Sequence, residues 1–217
     1  MYTVYFFSGL GADERAFQYL DLGLDQVNIH HIKWVEPLSK EDLTPYAKRL
    51  AANMLKEDPI FIGLSFGGIM AIEVAKFVNP RKIILIASAK TYREIPFYFR
   101  WAGLLRLHRL TPLTWLKKPS LFNSWLFGAR SIRERKLLKM ILQDTDAMFL
   151  KWAIQCIIDW KNIDIPVGLT HIHGEADRIL PIRFVKPDII ISDGGHLMTI
   201  DKAKEISQYI RNIISNT

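Results

Sequence analysis

The run Ile60 to Leu64 is apolar throughout and passes, after a short polar interruption at Ser65, into Gly67 to Phe77, an almost wholly apolar stretch of helical length. A five-residue strand with no polar face must be covered on both sides, and a helix with no polar face must lie between layers. This pair therefore demands a mostly parallel sheet clothed with helices on both faces. Further strands are predicted at Thr3 to Phe7, Val27 to Val35, Lys82 to Ala89, Val167 to His173 and Asp188 to Ile191. A helix is predicted from about Asp13 to Leu20. Another starts with a capping-box-like Ser39 and Asp42 and carries Leu43, Tyr46, Ala47, Leu50, Ala51 and Met54 at i, i+3, i+4 spacing. A last one, Lys202 to Ile214, aligns Ile206, Tyr209, Ile210, Ile213 and Ile214 on one face.

The alternation of strand and helix stops between Tyr92 and about Trp160, where the sequence turns helical, Trp-rich and basic. The organisation read from this is an α/β core formed by 1–91 and 161–217, interrupted by a helical insertion at 92–160. A chain of 217 residues buries roughly 70% of its unfolded surface around one core, so a single domain with one insertion is the natural size. The formal net charge of +7 is lodged in the insertion: Tyr92 to Leu150 holds eleven basic residues against four acidic ones, and the remainder is neutral.

Several classes are excluded. With 49% apolar and 24% charged residues, the chain is not of disordered composition. The charge-free stretch Pro59 to Ile72 is too short for a membrane span and is broken by glycines. Met1 to Phe7 lacks a preceding basic residue and a following small-x-small site, so no signal peptide is expected and the cytoplasm is the expected location. Cys156 is the single cysteine, which rules out an internal disulfide and a thiolate metal cluster; it reads as a core thiol.

Gly63-Leu64-Ser65-Phe66-Gly67 is a G-x-S-x-G pattern at the junction of a buried strand and an apolar helix, where such a serine occupies a sharp turn. Chance alone yields the bare pentapeptide in roughly 3% of chains of this composition, so its weight comes from the strand and helix around it. A serine hydroxyl is a poor nucleophile at neutral pH and needs a base, and the base needs an orienting group. His196 follows Gly194-Gly195 beyond the last predicted strand. Asp177 lies just beyond the strand before it, at the end of His173-Gly174-Glu175-Ala176-Asp177. Asp164 and Asp193 are rival acids, Asp193 being very near His196 along the chain. His171-x-His173 with Asp177 lacks the further His or Cys of a closed metal site. No metal or cofactor is expected.

The loop Ser8-Gly9-Leu10-Gly11, the Ser65 turn, the Gly174-Glu175-Ala176-Asp177 turn and the Gly194-Gly195-His196-Leu197 loop occur in this order over nearly the whole chain, and in this the sequence resembles the α/β-hydrolases. The resemblance implies a sheet of about six strands, without the two antiparallel strands that often come first, and a helical lid between the strands ending near Ala89 and beginning near Val167. It implies Ser65 as nucleophile, His196 as base and Asp177 as orienting acid, in the family's chain order. It further implies an oxyanion hole made by the backbone N–H groups of Phe66 and Leu10. Many members have His-Gly where this chain has Ser8-Gly9, so different hydrogen bonds must shape that loop. A serine rather than an aspartate at the elbow points away from epoxide hydrolases and dehalogenases, toward acyl transfer from an ester, thioester or amide.

The expected function is hydrolysis of a carboxylic ester or thioester through an acyl-enzyme. Two alternatives keep the fold: a lyase or carbon–carbon hydrolase acting on a small anionic carboxylate with the same triad, and a non-catalytic binding module. The lid helices are expected to pack their aromatics inward and solvate their Lys and Arg. Two functional readings stand beside that one: an apolar acyl pocket whose rim attracts an anionic or carrier-bound substrate, and a face resting on an anionic membrane. No recognised motif accompanies the charge, so no nucleic acid is expected; the oligomeric state is left open.

Overall fold

The computed structural model describes residues 2–23, 27–54, 58–104 and 120–215. Six strands, β1 (Tyr2–Phe7), β2 (Val27–His31), β3 (Ile60–Leu64), β4 (Lys82–Ile86), β5 (Leu169–Gly174) and β6 (Ile189–Ile191), form one sheet in the order β2-β1-β3-β4-β5-β6. Every pairing is parallel. Strand order reverses direction at β1, so the loops leaving β1 and β3 diverge at the sheet's C-terminal edge and open a crevice there.

Alternation along the strands sorts the core into two layers. Tyr5, Phe7, Phe61, Ile83 and Leu85 face α1 (Leu43–Ala51) and α2 (Phe66–Val74). Val4, Phe6, Ile60, Ile62, Ile84, Ile86 and Ile172 face the last helix. All nine residues of α2 are buried, which is why its sequence carries no polar stripe. The expected face of α1 is buried in full, Met54 included; its N-cap Asp42 makes no side-chain cap bond, and Glu41 instead accepts from the Leu38 amide.

Between β4 and β5 the described residues carry four helices, α3 (Phe97–Leu104), α4 (Leu121–Leu126), α5 (Ile132–Asp144) and α6 (Ala147–Asp159). Arg106, His108, Arg109, Trp115, Lys117 and Lys118 of this segment lie outside the described residues. Phe149, Ala153, Cys156 and Trp160 join the α1–α2 layer, and the Cys156 thiol is pushed up to about 12 by burial. A capping box formed by Ser131 and Glu134 starts α5, whose Leu137, Leu138 and Ile141 pack on Leu197 and Ile200. After β6 come α7 (Met198–Asp201) and α8 (Ala203–Ser215); Ile206, Ile210 and Ile214 of α8 are wholly buried.

Three expectations need correction. The helix over Asp13 to Leu20 is a single 3-10 turn, Glu14–Phe17, in which only Ala16 and Phe17 are buried, and Asp13 spends its carboxylate on the Arg15 amide and guanidinium. The strand Val27 to Val35 stops at His31, where its one neighbour, β1, runs out of partners. The aromatics of the insertion do not all turn inward: Phe127 and Phe149 pack on the core, whereas Phe97, Trp101, Phe122 and Trp125 are exposed.

Candidate active site

Ser65 sits between β3 and α2 at φ 53° and ψ −120°, a left-handed region that costs a non-glycine residue on the order of 1–3 kcal/mol. The surroundings impose it. The Ser65 amide donates to the Ile86 carbonyl at 2.9 Å, and the Ser65 carbonyl accepts from Gly68 N–H at 2.9 Å and from the Ser88 hydroxyl at 2.6 Å. Close approach of strand and helix leaves no room for side chains beside it: a Cβ on Gly63 would stand 2.5 Å from Gly68 Cα, and one on Gly67 would run into the Phe7 carbonyl. The result is a hydroxyl pushed out at the end of the strand.

That hydroxyl meets the imidazole read from the sequence. Ser65 Oγ lies 2.8 Å from His196 Nε2, and His196 Nδ1 lies 2.8 Å from Asp177 Oδ2. A carboxylate only accepts, so Nδ1 carries the proton and Nε2 is left to accept from the serine. The other oxygen, Asp177 Oδ1, accepts from the Ile179 and Leu180 amides at 2.8 and 3.0 Å. Burial alone would raise the Asp177 carboxyl, but the His196 charge and hydrogen bond, His173 and the Leu180 amide outweigh it and hold the group below its ordinary range. Asp177 is the carboxylate hydrogen-bonded to His196, whereas Asp164 and Asp193 are both exposed.

His171 and His173 are wholly buried, as strand packing required, but they do more than fill space. Nε2 of His173 donates to the Leu180 carbonyl at 2.8 Å and stands 3.6 Å from Asp177 Oδ2, while His171 Nε2 lies 3.2 Å from His173 Nδ1. Residue 180 is therefore held at both its carbonyl and its amide, and the amide end fixes Asp177. Sequence reading missed this, because no pattern along the chain marks a histidine bonded to a main-chain carbonyl seven residues on. Burial holds both imidazoles below their ordinary value of 6.5, helped at His171 by the charges of His173 and Lys90, and opposed at His173 by Asp177 and the Leu180 carbonyl. The folded state then binds fewer protons than the unfolded chain below pH 6.5, where each group costs up to about 1.4 kcal/mol per pH unit. Stability is expected to be complete above that value and to decline as pH falls from it toward the folded-state pKa values. Thermal unfolding followed from pH 7.5 to 5 checks this, with a shallower decline in His171→Leu.

The loop after β1 lies against the serine: a Cβ on Gly9 would be 3.6 Å from Ser65 Cβ. The Ser8 hydroxyl donates to the Ala12 carbonyl at 2.6 Å, the Ala12 amide donates to the Gly9 carbonyl at 3.0 Å, and Thr145 Oγ1 donates to the Gly11 carbonyl at 3.0 Å. These are the bonds that shape a loop beginning Ser-Gly. Among the described residues the Leu10 and Phe66 amides have no acceptor; Phe66 opens α2, where an N–H has no partner within the helix. On the other side, Phe127 of the insertion touches the His196 ring edge-on at 5.9 Å, and its carbonyl accepts from the Leu197 amide at 3.2 Å. A cavity of about 460 Å³ beside β2 and α1, lined by Tyr5, Ile32, Lys33, Val35, Arg49 and Met54 among others, contains none of the three residues. Chemically, the arrangement can move a proton from Ser65 to His196 while Asp177 bears the opposite charge.

A sequence model described as the alpha/beta hydrolase family matches residues 4–208. No curated protein matches the sequence. Among solved structures the chain is similar to MenH from S. aureus, at 15% identity over 99% of this chain and 94% of that one, with a TM-score of 0.73. A hydrolase from Pseudomonas aeruginosa PA01 gives 13% identity, coverage of 98% and 89%, and a TM-score of 0.72. A thermophilic esterase from Thermogutta terrifontis gives 17%, coverage of 100% and 90%, and 0.67. At such identities the likeness is one of fold.

Proposed function

The chain belongs to the alpha/beta hydrolase family, and from that premise we propose that it is a cytoplasmic serine hydrolase cleaving a carboxylic ester or thioester through an acyl-enzyme on Ser65. The observation that carries the reading is the unbroken hydrogen-bonded series from Asp177 through His196 to Ser65 Oγ. His196 takes the hydroxyl proton as Oγ attacks the acyl carbon, and Asp177 stabilises the imidazolium. The leaving group departs with that proton, and water, deprotonated by the same imidazole, releases the acid. The Leu10 and Phe66 amides receive the oxyanion; a donor so aimed is worth about 3 kcal/mol in the transition state.

Beside the serine, Leu10, Trp34, Phe66, Phe149 and Trp152 form one packed apolar group, with Trp34 and Phe149 rings 5.5 and 6.2 Å from that of Phe66. This wall suits an apolar acyl chain, with 92–160 as the lid that supplies Phe149 and Trp152. A panel of chromogenic esters and thioesters of graded acyl length tests the reading. Saturable turnover that rises from acetyl toward medium chains is expected. No ester or thioester turnover, with cleavage of a diketone or elimination from an enol-pyruvyl compound, would transfer the triad to the lyase or carbon–carbon alternative; inertness toward all of them would leave the binding module.

A further inference from the structure

On α3, Phe97 and Trp101 are one turn apart and 56% and 65% exposed; on α4, Leu121, Phe122 and Trp125 share a face at 80%, 64% and 55%. Large apolar side chains this open, and this concentrated, mark a contact surface rather than scatter. The two helices meet the same loop, the one that follows Asp177. Phe97 and Tyr98 pack on Phe184 at 6.1 and 5.8 Å, while Arg178 lies 4.6 Å over the Trp125 ring and donates to the Trp125 carbonyl. Both aromatic groups therefore stand at the C-terminal end of the sheet, on the rim of the site that holds Asp177.

Cations are interleaved with them. Arg178 and Arg183 lie in the loop between the two groups, and Arg135 and Lys139 of α5 line a small cleft with Ser120, Asn123 and Ser124 at the start of α4. Among the described residues none of these four pairs with a carboxylate. We propose that this face docks on an anionic lipid surface. Aromatic rings and aliphatic side chains settle at the boundary of headgroup and acyl chain, and unpaired cations are drawn to lipid phosphate. A second copy of the chain is disfavoured, since two such faces bring like charges together. Leu121 and, at the start of α5, Ile132 at 87% exposure have no use on a base-stacking platform, which needs aromatic faces. The inference concerns this surface and does not depend on the chemistry assigned to Ser65.

Sedimentation with vesicles tests it, using the full chain and lipid mixtures of phosphatidylglycerol with phosphatidylcholine in about equal amounts, at about 0.15 M ionic strength. The expected result is binding at least about tenfold stronger than to phosphatidylcholine alone, weakened by high salt, and about tenfold weaker in Trp101→Ser/Phe122→Ser. These side chains are exposed, so the variant should retain its thermal unfolding midpoint. Arg135→Glu/Lys139→Glu should reduce binding without touching the aromatics. No binding of folded protein to the anionic vesicles, or binding by both variants as strong as that of the native chain, overturns the proposal. So does tighter retention of a single-stranded oligonucleotide or an acidic carrier protein than of the vesicles.

Discussion

Ser65→Ala is expected to lower turnover of any accepted ester by about 10⁴-fold or more while leaving the protein folded. Only the Oγ that touches His196 is removed, and the turn rests on bonds of the residue 65 main chain that alanine preserves: its amide donates to the Ile86 carbonyl, and its carbonyl accepts from the Gly68 amide and the Ser88 hydroxyl. Alanine is no easier than serine at φ 53°, so the backbone cost persists. Ser65→Gly should separate the two effects: the same loss of turnover, with stability raised by about 1 kcal/mol as strain is relieved. Steady-state kinetics on a soluble ester, beside urea unfolding of all three proteins, reads both. A rise in stability on deleting the side chain would show that the strain is kept for chemistry and not for folding.

Asp177→Asn should cost about 10⁴-fold in kcat by a different route. The asparagine oxygen can keep the bonds from the Ile179 and Leu180 amides, which leaves its NH₂ turned toward His196 Nδ1. That nitrogen must then accept, the ring proton moves to Nε2, and the base faces Ser65 with a hydrogen where its lone pair should be. Size is almost unchanged, so the fold should survive. The expected outcome is a collapse of kcat with little change in KM; turnover within tenfold of the native enzyme would mean that His196 is oriented by something other than this carboxylate.

The parts of the fold written as local pattern were legible in the sequence. Ile60–Leu64 forms a strand over the residues expected of it, because a short run with no polar side can be satisfied only in the middle of a sheet. Ser65, Asp177 and His196, far apart in number, come within hydrogen-bonding distance because each follows a strand, and strand ends collect at one edge of a parallel sheet. The over-extension of β2 to Val35 had the opposite cause: β propensity continues to Val35, but the last bond to β1 is the one from the Ile32 amide to the Phe6 carbonyl, and pairing is a property of the neighbour. The inward packing expected of the insertion's aromatics failed at Trp101 and Trp125 because helical periodicity says which residues share a face, never what that face meets. His173 was read correctly as packed and missed as a clamp on Leu180, since no spacing along the chain signals a bond to a carbonyl seven residues on.

The central claim is that the imidazole of His196 makes the Ser65 hydroxyl reactive. Incubation of the folded chain with a fluorophosphonate, followed by mass spectrometry of the digested protein, tests it directly. The account predicts one adduct per chain, on Ser65, absent from Ser65→Ala and slowed by orders of magnitude in His196→Ala. A folded protein that takes up no phosphonate, or that carries the adduct on another residue, would contradict it.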